Sequence, residues 1–111
     1  MFIKRSGDRI APPAVADVVR DGVRYAQAGD GRQLGYKQMC GVLVATDEAS
    51  GEQLWNMAVY GNEIDSALET DVQWVFFRSM AFDEDGLLRI ENERSKVFKV
   101  DVQTRTVKAV A

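Results

Sequence analysis

The chain has 111 residues, of which 46% are hydrophobic and 28% charged, with a formal net charge of −3. That balance is expected of one soluble globular domain burying roughly two thirds of its extended surface, and without an apolar run of about 18 residues it excludes a transmembrane helix. Histidine is absent and cysteine occurs once, which removes Ser-His and Cys-His nucleophiles, histidine acid–base chemistry, an internal disulfide and paired-thiol metal motifs; no catalytic or metal residues are assigned and no cofactor is expected.

The charge is unevenly spread. Residues 1–45 carry seven Lys/Arg against four acids, residues 46–93 two against twelve, and residues 94–111 five against one. An acidic middle disfavours nucleic acid as a partner and favours a basic protein surface, or serves simple solubility.

Met1-Phe2-Ile3-Lys4-Arg5 opens like a signal peptide but no apolar segment follows, so a cytoplasmic location is expected. Residues 2–13 show no hydrophobic period and end in Pro12-Pro13, so residues 1–13 read as an extended arm and residues 14–111 as a single β domain. Val15 to Arg20 and Val23 to Ala28 flank Asp21-Gly22, the pair that supplies both positive φ values of a type I′ hairpin turn; a helix over Val15 to Arg20 is the alternative. Gly29 to Gly35 reads as a loop, since it fails the spacings of both phosphate-binding glycine motifs. Arg20, Arg24, Arg32 and Lys37 interleave with Tyr25 and Tyr36, as a single-strand groove would want, but the acidic middle opposes that reading. Cys40, between Met39 and Gly41, fits a small buried apolar side chain.

Gly41 to Tyr60 carries the clearest strand, turn, strand pattern. Val42-Leu43-Val44-Ala45 is an apolar, β-branched run, Asp47 to Gly51 reverses the chain, and Trp55, Met57 and Val59 then share one face at period two. Ala45, Asp47, Ser50, Gly51 and Trp55 match the Ala-x-Asp-x-x-Ser/Thr-Gly-x-x-x-Trp pattern of the pyrroloquinoline-quinone-type β-propeller repeat. This stretch resembles a single blade, and the resemblance implies a blade-like hairpin with a specific turn; in that family the Trp docks one blade onto the next. The polar residues of the quinone site are missing. Val100 to Arg105 repeats the beat 54 residues on, with Arg105 in place of Gly51.

Gly61 to Thr70 is a polar connection, with Asp65 able to cap one helical turn. Glu63, Asp65, Glu69 and Asp71, with Trp74 and Tyr60 as an aromatic floor, are the candidate binding residues for a cation or basic side chain. Asp71 to Phe82 reads as a central strand, with Val72, Trp74, Phe76, Met80 and Phe82 on one face and Val75, Phe77 and Ala81 on the other. Arg78 on such a strand needs a carboxylate. Asp83 to Gly86 is a turn that fails the EF-hand frame. Leu87 to Asn92 and Lys96 to Val102 form a hairpin in which an Arg94 to Lys96 loop pairs Glu91 with Lys99, Arg89 with Asp101, Ile90 with Val100 and Leu88 with Val102. Thr106 to Val110 is the last strand.

The expected fold is all-β, an antiparallel meander of about seven or eight short strands closed as a small barrel or sandwich with blade-like hairpins. Pairing with a second copy would cover an exposed edge, so a homodimer is expected. Carboxylates two apart, Glu69 with Asp71 and Glu91 with Glu93, are the acid–base candidates. Leu68 to Phe76, Ile90 to Arg94 and Val100-Asp101 are similar to short uncharacterised bacterial proteins of the mobile gene cassette kind, a group with no assigned activity. The expected function is a small non-catalytic binding or protein-interaction domain using an acidic surface; the alternative is a small-molecule-binding protein or weak carboxylate hydrolase with its site near Trp74.

Overall fold

The computed structural model describes residues 15–61 and 74–110. Asp21 and Gly22 take φ of 52° and 79°, so the chain reverses in the two-residue turn their sequence specifies and joins β1 (Val18–Arg20) to β2 (Val23–Gln27). The helical alternative for this segment is thereby excluded. A short 3-10 turn (Gly31–Leu34), capped by Asp30, which accepts the Arg32 N–H, leads on. β3 (Val42–Asp47) and β4 (Gln53–Ala58) complete a four-stranded antiparallel sheet in sequential order.

β5 (Phe77–Phe82), β6 (Leu88–Asn92), β7 (Val97–Asp101) and β8 (Thr106–Ala109) form a second sheet of the same kind. Both sheets contribute to one core: Tyr25, Leu43, Ala45 and Val59 from the first half meet Phe77, Leu88, Ile90 and Val100 from the second. Trp55 and Met57 pack against that core, as their period-two spacing predicts. Among the described residues no strand pairing joins the sheets, so the eight strands do not close into a barrel. There is also no α-helix among them.

The expected strand from Asp71 is shortened and moved. Residues 71–73 lie outside the described residues, Trp74 to Phe76 form no strand, and among the described residues β5 is an edge rather than a central strand. A bulge also re-sorts the faces of β5. Phe77 opposes Asn92 and Ser79 opposes Glu91, leaving Arg78 as the extra residue. That insertion brings Phe77 onto the same side as Met80 and Phe82, which oppose Ile90 and Leu88, so the apolar residues that alternate in the sequence serve one face. Arg78 does find a carboxylate, Glu91, and also donates to Ser95 Oγ, but its side chain is half exposed.

The β6–β7 hairpin also departs from expectation, by two residues of register. Leu88 opposes Val100, Arg89 opposes Lys99, Ile90 opposes Phe98 and Glu91 opposes Val97. The loop is Glu93 to Ser95, closed by the Ser95 N–H donating to Asn92 O and by Asn92 Oδ1 accepting from Arg94 and Lys96 N–H. The buried Asn92 amide side chain selects this loop, and an odd loop length keeps Ile90 and Leu88 facing inward.

Candidate functional site

Four of the expected binding residues, Glu63, Asp65, Glu69 and Asp71, lie outside the described residues, as do the 1–13 arm and the Asp65 turn. Tyr60 is held in place by the core: its ring stacks on Phe98 at 5.2 Å, its hydroxyl donates to Val75 O, and burial raises its pKa above the ordinary tyrosine value. Trp74 packs edge-on against Phe76 at 6.3 Å. The two aromatic side chains have different ring neighbours. Glu91 and Glu93 likewise take separate partners, Arg78 for the first and the Phe76 N–H for the second.

Two of the basic residues of the first third, Arg24 and Arg32, are firmly engaged by carboxylates. Arg24 makes a two-pronged contact with Glu48 at 2.7 Å and reaches Asp17 at 3.1 Å, and Arg32 makes the same forked contact with Asp30. Tyr36 donates to Asn56.

A different site is assembled where three turns, one from the first sheet and two from the second, meet at one end of the core. The β1–β2 turn brings Arg20 and Asp21, the β5–β6 turn brings Asp85, the β7–β8 turn brings Asp101, and Tyr25 and Phe82 come from the strands; together they line a cleft of about 260 Å³. Tyr25 meets Phe82 edge-on at 5.5 Å and Trp55 at 6.1 Å. The Arg20 guanidinium carbon sits 4.6 Å from the centre of the Phe82 ring, while its Nε is 3.9 Å from Asp21.

The carboxylates of the rim differ in how far they are committed. Asp85 accepts from the Leu87 N–H and binds Lys99 Nζ at 2.6 Å, and the Lys99 contact holds its pKa below the usual carboxylate value. Lys99 is shared with Asp83 at 3.1 Å, and both contacts raise its own pKa. Asp101 uses Oδ1 to accept from Gln103 and Thr104 N–H; its Oδ2 has no partner among the described residues. Asp21 is almost fully exposed, and among the described residues its one ion pair is with Arg20, at long range.

Tyr25 is the most informative residue of the cleft. It is 6% exposed, and its hydroxyl makes no hydrogen bond among the described residues. Since none of them leaves a fully buried polar side-chain atom unpaired, the Tyr25 oxygen keeps some contact with solvent, and the residue lines the cleft. Burial first, and the Asp21 charge second, raise its pKa, so the phenol stays neutral and can donate or accept.

Each of the three turns is visible in the sequence, as Asp21-Gly22, Asp83 to Gly86, and the Asp101 beat. Their meeting is not, because it depends on how the two sheets stack. Among the described residues no three metal-ligating side chains gather, and no helix is long and apolar enough to cross a membrane. No family model, curated protein or solved structure matches the chain.

Proposed function

We propose that this chain is a small non-catalytic binding domain that presents an acidic surface to a basic protein partner, with the turn-end cleft as its contact point. The observation that carries this reading is the Tyr25 hydroxyl, nearly buried yet without a hydrogen-bond partner among the described residues, at a cleft also lined by Asp21, Asp85 and Asp101. The hydroxyl is not sealed from water, and a ligand atom entering the cleft can take the place of water as its partner.

The test is a calorimetric titration of the full chain with lysine- and arginine-rich peptides against glutamate-rich ones of equal length. Binding of the basic set that weakens as salt rises, and that Tyr25→Phe reduces without changing the melting temperature, supports the proposal. Equal binding of both sets, or no effect of Tyr25→Phe, sinks it.

The four-stranded sequential order of each sheet supports the blade-like reading of the Asp47 turn, as two blade-like sheets facing each other. The outward side of the second sheet aligns Arg89, Lys99 and Lys108 across three strands, a surface suited to water rather than to a third sheet. Self-association is part of the same proposal, because the edge strand β4, Gln53 to Ala58, carries no charge to discourage strand addition. Sedimentation equilibrium at high micromolar concentration checks it, and a strict monomer removes the homodimer.

A further inference from the structure

We infer that the cleft takes a side-chain cation, an ammonium or guanidinium group on an apolar stem, in the place over Phe82 that Arg20 occupies, and that Arg20 gives way to it. The inference rests on the proposed binding role of the cleft and specifies what enters it.

Charge decides the sign of the ligand. The cleft is lined by one guanidinium and three carboxylates, Asp21, Asp85 and Asp101. An anion would meet the carboxylates at short range, whereas a cation finds Asp101 Oδ2, which has no partner among the described residues, and the neutral Tyr25 oxygen as acceptors. Lys99 does not compete for these atoms, because Asp83 and Asp85 hold it.

Geometry decides the position. Arg20 already shows what the Phe82 face accepts, with its guanidinium carbon 4.6 Å from the ring centre. Its hold there is slight. The ion pair to Asp21 is 3.9 Å long and the Arg20 side chain is 47% exposed, so it can swing into water at small cost. Leu87 and Val102, which also line the cleft, offer apolar surface for the stem of an incoming side chain.

The experiment is a heteronuclear NMR titration of the full chain with acetyl-Gly-Arg-Gly-amide, its lysine counterpart, the isosteric neutral citrulline peptide, and free propylguanidine, each on wild type, Arg20→Gln and Asp101→Asn. The expected result is shifts at the Tyr25, Gly86 and Gln103 amides with the arginine or lysine peptide and none with citrulline. Arg20→Gln should tighten the cationic peptides about two- to fivefold, the worth of one exposed cation–ring contact. Asp101→Asn, which keeps the turn acceptor, should weaken them.

Propylguanidine binding as tightly as the peptide would mean that the cation alone is read; weaker binding would mean that the flanking chain is read too, and either supports the site. Cleft shifts in wild type with unchanged or weaker binding by Arg20→Gln would overturn the displacement of Arg20 and leave the binding domain standing. Absence of cleft shifts with every probe would remove the cleft as the contact point, and this inference with it.

Discussion

Individual side chains set most of the measurable chemistry. The Tyr60 hydroxyl donates to Val75 O, so Tyr60→Phe removes this hydrogen bond while keeping the stack on Phe98. Thermal or urea unfolding should show a loss of about 1–2 kcal/mol. Tyr25 and Tyr60 also predict an alkaline limit. Both have pKa values raised above the ordinary 10.0 by burial, so unfolded chains lose these protons first. Their contribution is complete below pH 10.0 and is lost as pH rises through the folded values. Tyrosinate absorbance in the folded protein should appear in part only above the ordinary range, and the melting temperature should fall over the same interval. Asp30, Asp47, Glu48 and Asp85 act in the opposite sense. Their pKa values lie below 3.8 or 4.5 through contacts with Arg32, Ser50, Arg24 and Lys99, so their contribution is present above those values and disappears as pH falls through the lowered ones.

At the scale of elements, two turns of like build invite a paired test. Asp47 accepts the Ser50 N–H on its carboxylate and the Gly51 N–H on its carbonyl; Asp101 does the same with Gln103, Thr104 and Arg105 N–H. Position five takes φ of 77° at Gly51 and 59° at Arg105. Arg105→Gly should therefore stabilise by about 0.5–1 kcal/mol and Gly51→Ala should destabilise by about 1 kcal/mol, read as opposite shifts in denaturant midpoint. Gly31 is constrained by space instead. A Cβ there would lie 2.6 Å from Gln38 O and 2.7 Å from Val42 Cγ2, so Gly31→Ala should cost about 1–3 kcal/mol.

These turns and the strands beside them were legible in the sequence because their signals are local: Asp-Gly at 21–22, the β-branched run from Val42, the Asp beat at 47 and 101. What escaped was non-local. The hairpin register turned on the Asn92 side chain caging its own loop, and the shared face of Phe77, Met80 and Phe82 turned on the extra Arg78. The cleft escaped for the same reason, since Tyr25, Phe82 and Asp101 are brought together only by the stacking of the sheets.

The molecule as a whole is held by one shared core, with Leu43 on the first sheet and Leu88 and Ile90 on the second all fully buried. Leu88→Ala should then cost about 2–5 kcal/mol and lower the protection of amides in both sheets together, seen by hydrogen exchange. Loss confined to β5 through β8 would show instead that the halves are separate folding units.

Arg78 shows how little separates this architecture from another. Pleated chain keeps a strict odd–even count, and a single unmatched position is what lets Phe77 and Phe82 count alike. Were Arg78 paired in the ladder instead of bulged, Phe77 and Phe82 would stand five positions apart in plain alternation, and one of the two would turn outward. The arithmetic of one residue thus decides whether the second sheet has a continuous oily surface to lay against the first.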